Sequence, residues 1–262
     1  MAENRNKQII YELDGAIATI TINRPESYNA INQDMLIELK DVLNMLEERE
    51  QIRVLIITGA GMKAFAAGAD IAYMNGLDAK QTEAFIKLGQ SVMNQVANSK
   101  KITIAAINGH ALGGGFELAL ACDLRVMVQQ ARLGLPEVSL GIIPGWGGTQ
   151  RLAKLVGPAN AKEWILTGGQ MDAETAKSLG IVQRVVTAEE LMDTCRELAA
   201  KILANAPLAV RLAKEAINVS MEKPIDEGLG IEADYFVQCF QTEDRQEGFQ
   251  AFFEKRKASF KG

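Results

Sequence analysis

Residues 108–123, N-G-H-A-L-G-G-G-F-E-L-A-L-A-C-D, constrain this chain more than any other stretch. They follow I-T-I-A-A-I at 102–107, an apolar, β-branched run with the length of a buried strand. Three consecutive glycines, Gly113, Gly114 and Gly115, then lead into F-E-L-A-L-A, a good helix former. A strand, a glycine turn and a helix start gather unpaired backbone N–H groups at one point. Glycine there lets another group approach the main chain, because no Cβ intervenes. Glu117 falls in the first turn of that helix and projects a carboxylate near those donors. Two readings follow from the residues alone: a tight packing turn, or a ligand-binding loop with an acid beside it.

The remaining residues narrow the available chemistry. The formal net charge of −5 gives no support to nucleic-acid binding or to an anionic membrane surface. No apolar run approaches the roughly 18 residues that span a bilayer. The opening M-A-E-N-R-N-K-Q has no apolar core, which argues against a secretory signal. Cys122, Cys195 and Cys239 are odd in number and far apart, as expected of reduced thiols in the cytoplasm. His110 is the single histidine, and no C-x-x-C pair occurs, so no metal site is expected. Phosphate-loop, dinucleotide and nucleophile-elbow glycine motifs are all absent. Chemistry therefore falls to carboxylates and backbone dipoles.

Along the chain, residues 9–13 and 16–22 predict a hairpin about Asp14-Gly15, and 33–50 a helix with Met35, Leu36, Leu39, Val42, Leu43 and Leu46 inward. V-L-I-I-T at 54–58 predicts a second buried strand. K-A-F-A-A-G-A-D at 63–70 follows, small enough for a second ligand loop or a close-packed crossover. Helix is predicted over 82–98, strand over 124–128 and 181–186, and helix from 147 to 156. Thr187 and Glu190 predict a capping box for a helix running towards Asn205. From Pro207 onward the pattern is helical, with an aromatic stripe of Phe236, Phe240, Phe249, Phe252 and Phe253 that suits core or a subunit contact. The alternation predicts an α/β fold followed by helices.

Glu117 and Glu137 are the acidic residues flanked by glycine-rich, apolar sequence, Glu137 within G-L-P-E-V-S-L-G. A carboxylate among Leu135, Val138 and Leu140 is desolvated, which favours its neutral form. A second carboxylate nearby drives the two proton affinities apart, as paired general acid and base work requires. Taken singly, each also reads as an ordinary helix-end glutamate.

With these motifs in view the chain resembles the enoyl-CoA hydratase (crotonase) family along essentially its whole length. The resemblance rests on N-R-P-x-x-x-N-A at 23–30, A-F-A-A-G-A-D at 64–70, and A-A-I-N-G-x-A-L-G-G-G-x-E-L-A-L-A-C-D at 105–123. It continues with L-P-E-V-x-L-G-I-I-P-G-x-G-G-T-Q-R-L at 135–152 and F-x-x-F-F-E-K-R-x-x-x-F at 249–260. It implies an α/β fold, a spiral of repeated ββα units over residues 1–200, with a helical oligomerisation region at 201–262 that builds a homotrimer or a homohexamer, a dimer of trimers. It implies an acyl-CoA thioester as substrate, with no cofactor because coenzyme A is part of that substrate. The backbone N–H groups of Ala69 and Gly114 fall where the family forms its oxyanion hole. Glu117 and Glu137 match the paired glutamates of the hydratases; isomerases commonly keep one useful acid.

The resemblance also implies substrate contacts at Tyr28, Ala30, Ala67, Gly68, Asp70 and Ile71. Lys255 matches a lysine that reaches coenzyme A from a neighbouring subunit, and equally reads as a solvated charge in E-K-R-K. Ala72 stands where many relatives have a lysine, which removes one expected phosphate contact. Trp146 replaces a small residue; it either limits acyl-chain length or packs under the following helix. The implied activity is hydration of a short-chain trans-2-enoyl-CoA. An enoyl-CoA isomerase, a cyclic dienoyl-CoA hydratase, and a non-catalytic acyl-CoA- or RNA-binding relative remain alternatives on the same frame.

Overall fold

The computed structural model of the protein describes residues 7–262; the first six residues of the opening segment, read above for a leader, lie outside the described residues. β1 (Ile9–Asp14) and β2 (Ile17–Ile22) form the expected hairpin, but the two-residue turn is Gly15-Ala16, not Asp14-Gly15. Asp14 pairs with Ile17, and Gly15 takes the positive φ of 55° that the first turn position demands. α1 (Gln33–Glu47) is capped by Asn32, whose side chain accepts from the Met35 N–H, and buries Met35, Leu36, Leu39, Leu43 and Leu46. β3 (Val54–Gly59), β4 (Ala64–Ala66), α2 (Ile71–Met74) and α3 (Ala79–Ala97) follow. A capping box between Asp78 and Gln81 starts α3 three residues before the expected 82.

The central turn consists of β5 (Ile102–Ile107), β6 (His110–Leu112) and α4 (Gly114–Ala121). The next repeats the pattern with β7 (Leu124–Val128), β8 (Arg132–Gly134), a 3-10 turn over Pro136–Leu140 and α5 (Gly148–Val156). α6 (Pro158–Thr167), β9 (Gln170–Asp172), α7 (Ala173–Ser178) and β10 (Arg184–Val186) complete the core. β10 pairs over only the last half of the predicted 181–186 strand; Ile181 and Val182 are buried ahead of it. The five longer strands and the three-residue β10 assemble a six-stranded sheet in the order β1-β2-β3-β5-β7-β10, parallel except for the β1–β2 hairpin. Short strands assemble a second sheet, β4-β6-β8-β9. The three turns from β3 to α5 thus each contribute one strand to each sheet and then helix, the repeated ββα unit of the expected α/β fold.

β5 is buried along its whole length, with parallel neighbours β3 and β7 on its two edges. α8 (Leu191–Leu203), α9 (Pro207–Ser220), α10 (Ile225–Phe240) and α11 (Glu243–Glu254) close the chain. Only half of the predicted capping box forms: Glu190 accepts from the Thr187 N–H, and the helix proper begins at Leu191. α9 docks through Lys214, which pairs with Asp123 at 2.8 Å and donates to the Lys101 carbonyl at 2.9 Å. α10 buries none of its residues, and Phe236, Phe252 and Phe253 stay 67–79% exposed.

Candidate active site

The site is assembled where the ends of β4 and β6 meet. Gly68 has a φ of 96°, and a Cβ there would stand 3.2 Å from the Leu112 carbonyl oxygen and 3.8 Å from the Gly114 nitrogen. Gly113, at φ 50°, lies on the opposite side of the same contact. The two glycine-bearing loops of the sequence are therefore apposed at backbone distance. Gly113 donates to the Gly134 carbonyl, but neither the Ala69 N–H nor the Gly114 N–H has a protein acceptor among the described residues. Gly114 opens α4, where the first N–H groups of a helix are free in any case. Two backbone donors are thus left without an acceptor beside the apposed loops.

Glu117 lies one turn into α4 and is 2% exposed. Its Oε1 accepts from the Trp146 N–H at 2.8 Å and the Gly148 N–H at 2.7 Å. Burial raises its proton affinity above the ordinary carboxylate value; these N–H groups and the Arg151 guanidinium oppose that rise. Glu137 comes from the 3-10 turn that Pro136 starts. A Cβ on Gly113 would stand 3.0 Å from its Oε1, and its Oε2 is buried without a partner. Burial pushes the Glu137 carboxyl up to about 7, and the charge of Glu117 adds to the rise. The two acids expected from sequence are brought together around Gly113, in different electrostatic settings.

The segment 28–31 is laid along 67–70. Ala67 donates to the Tyr28 carbonyl, Ile31 to the Gly68 carbonyl and Asp70 to the Ile31 carbonyl. Arg24 locks this seam with one nitrogen on the Ala30 carbonyl at 2.7 Å and on Asp70 at 3.0 Å. Tyr28, Ala30, Ala67, Asp70 and Ile71 therefore lie together beside the glycine loops, with Tyr28, Ala67 and Ile71 exposed and Gly68 buried beneath them. Lys255 is exposed at the C-cap of α11 in a left-handed conformation and makes no hydrogen bond to this surface among the described residues. Trp146 is 2% exposed and packs edge-on against Phe85 at 5.3 Å. A Cβ on Gly89 of α3 or on Gly114 would overlap its ring. The indole thus packs between Gly89 of α3 and Gly114 at the start of α4.

Several site groups escaped the sequence reading. Asn29, fully buried, accepts from the Arg24 N–H and donates to the Ala60 and Ala64 carbonyls. Asn108 clamps the end of β3 by accepting from Gly59 N–H and donating to the Gly59 and Gly61 carbonyls. The backbone anchors of Glu117, 29 and 31 residues downstream, carry no side-chain signal at all. Among the described residues no group of three or more His, Cys, Asp or Glu side chains stands close enough to hold a metal ion. No described helix is long and apolar enough to cross a membrane.

Comparison with known proteins bears on this geometry. A family profile described as enoyl-CoA hydratase/isomerase matches residues 12–262. The chain is 47% identical over 254 residues to a crotonyl-CoA hydratase of Syntrophomonas wolfei, covering 97% of this chain and 98% of that one. It is 46% identical over 249 residues to a short-chain-enoyl-CoA hydratase of Clostridium acetobutylicum, covering 95% of each. The crystal structure of an enoyl-CoA hydratase from Bacillus anthracis superposes with a TM-score of 0.95 at 42% identity, over 98% of this chain and 100% of that one.

Proposed function

Because the chain belongs to the enoyl-CoA hydratase/isomerase family, we propose that it adds water reversibly across the C2=C3 bond of a short-chain trans-2-enoyl-CoA, giving the 3-hydroxyacyl-CoA. The observation that carries this reading is the pair of unequal carboxylates beside two acceptor-free backbone donors. The thioester carbonyl is held by the Ala69 and Gly114 N–H groups. Glu117, ionised, takes a proton from water as the water oxygen bonds to C3. The π electrons move through C2 and C1 onto the thioester oxygen, where the two donors stabilise the charge. Glu137, protonated, then delivers its proton to C2, and proton exchange between the acids resets the site. An isomerase, which moves one proton between two carbons, has no need of the second acid; the pair favours hydration.

Coenzyme A lies along the surface of Tyr28, Ala30, Ala67, Gly68, Asp70 and Ile71, and Lys255 reaches it from a neighbouring subunit. It enters as part of the substrate, and no further cofactor is required. The exposed phenylalanines of α10 and α11 support a homotrimer or homohexamer built on residues 201–262, with 1–200 carrying the site. A cytoplasmic location accords with the odd, widely spaced cysteines. Trp146 limits chain length by filling the space between Gly89 and Gly114. Loss of absorbance of the conjugated thioester across C4 to C10 trans-2-enoyl-CoA tests the assignment: no hydration of any member overturns it. Trp146→Ala is expected to raise the C10/C4 ratio of kcat/KM about tenfold or more, within the range that a few buried methylenes are worth; an unchanged ratio removes Trp146 from specificity.

A further inference from the structure

Arg151 takes no part in the chemistry above, yet it touches the turn that grips Glu117. It lies in the first turn of α5, and its guanidinium bonds in two directions. One nitrogen donates to the Trp146 carbonyl at 3.0 Å and the other to Asn94 Oδ1 of α3 at 2.7 Å. A second side chain of α3 does the same for the neighbouring peptide: Gln90 Nε2 donates to the Gly145 carbonyl at 2.9 Å.

These two bonds fall on particular peptide planes. The Gly145 carbonyl and the Trp146 N–H are opposite ends of one peptide group, and that N–H donates to Glu117. The Trp146 carbonyl and the Gly147 N–H are opposite ends of the next, and the Gly147 N–H also stabilises the Glu117 carboxylate. A donor on the carbonyl end of a peptide polarises its N–H end and strengthens the bond made there. Gly147 sits at φ 112°, and a Cβ on it would overlap the Arg151 guanidinium. The glycine there thus leaves room for the arginine.

From this arrangement we infer that Arg151, assisted by Gln90, is a positioning residue that fixes and polarises the turn gripping the Glu117 carboxylate. The inference rests on the proposed role of Glu117 as the base. Charged groups acting on Glu117 come from two elements, Arg151 of α5 and Glu137 of the 3-10 turn. α3 contributes the neutral Gln90 and Asn94. Cys122, at the end of α4, is kept neutral by burial, its thiol pushed up to about 12. Arg151 is therefore the cation that offsets the burial of Glu117, and its removal raises the proton affinity of that carboxyl.

The test is a carbon-13 NMR titration of the glutamate carboxyls in the full chain, with Glu117 assigned by its loss in Glu117→Gln. It is run beside the pH profile of crotonyl-CoA hydration. In Arg151→Met the Glu117 proton affinity is expected to rise about tenfold, the acid limb of the profile to move up with it, and kcat to fall more than KM changes. Arg151→Lys keeps the charge but loses the fork, and is expected to restore the titration while recovering kcat only in part. A folded Arg151→Met with an unmoved Glu117 titration overturns the inference. If Arg151→Met does not fold, Gln90→Met decides in its place: it loosens only the Trp146 N–H, and an unmoved titration there overturns the inference equally. A wild type without hydratase activity would remove the proposed function, while the titration would still decide whether Arg151 controls Glu117.

Discussion

Glu117 and Glu137 feel each other's charge and are held in opposite ways. Glu117 is set in the first turn of a helix with its oxygen on two backbone N–H groups and a guanidinium close behind them. Glu137 hangs from a short 3-10 turn, half-buried, with one oxygen bonded to nothing in the protein. Burial raises both proton affinities; against that rise Glu117 has the N–H groups of residues 146–148 and the Arg151 guanidinium, whereas Glu137 has only its own N–H and feels the charge of Glu117 besides. Identical side chains are thus biased toward different protonation states by what the backbone supplies around each. The proposed division into acid and base depends on such a bias, because two coupled carboxyls in like surroundings would not take different protonation states at neutral pH.

The sharpest way to break this comparison is to neutralise each acid. Glu117→Gln and Glu137→Gln are each expected to lower hydration of crotonyl-CoA by about 10²–10⁴-fold, the usual contribution of a positioned acid or base. Near wild-type turnover in either variant would show that the two are not a working pair. The next test is pH. As the proposed acid Glu137 must act protonated, and burial pushes its carboxyl up to about 7, so kcat/KM for hydration should fall as pH rises through that value. A profile flat from 6 to 9 on a logarithmic scale would contradict the assignment of the acid.

Two smaller effects separate the acids further. Gly113→Ala would place a Cβ 3.0 Å from Glu137 Oε1 at a φ of 50°, displacing Glu137 rather than Glu117. About tenfold lower kcat and on the order of 1–3 kcal/mol lower stability are expected. Equal damage to the Glu117 titration would argue against two independently held acids. The last effect concerns stability alone. The folded-state proton affinity of Glu137 lies above its unfolded value, so its contribution to stability is full below the unfolded pKa and is lost as pH rises through about 7. Glu137→Gln should therefore raise the melting temperature by a few degrees at pH 8 and leave it unchanged at pH 4. Glu117→Gln should give a smaller gain, because the N–H groups of Trp146 and Gly148 already stabilise the charge it removes.

Much of the site was legible in the chain. Gly113 to Gly115, Glu117 and the 63–70 loop were visible because each departs from what its element needs. A helix start does not need three glycines, and a core glutamate needs a reason. Trp146 was visible as a bulky residue among glycines, but its contacts with Gly89 and Gly114 were not. The second sheet was not legible either. Its strands β4, β6, β8 and β9 are three residues each, too short for alternation to show, and they hold only because neighbouring turns of the spiral supply partners. The hairpin turn slipped by one residue for a related reason. Asp14 and Gly15 are both good turn formers, and strand pairing decided which side of Gly15 the turn took.

By itself, then, the sequence determined the elements whose cause is local: the buried parallel strands, the amphipathic helices, the glycine positions and the identities of the two acids. Tertiary structure alone decided what those acids experience. The anchors of Glu117 are main-chain N–H groups of residues 146 and 148, and the cation behind them is fixed by a residue of α3. A backbone donor has no letter of its own. Its meaning depends on which side chain the fold delivers to it, and desolvation likewise is a property of the surroundings, not of the residue.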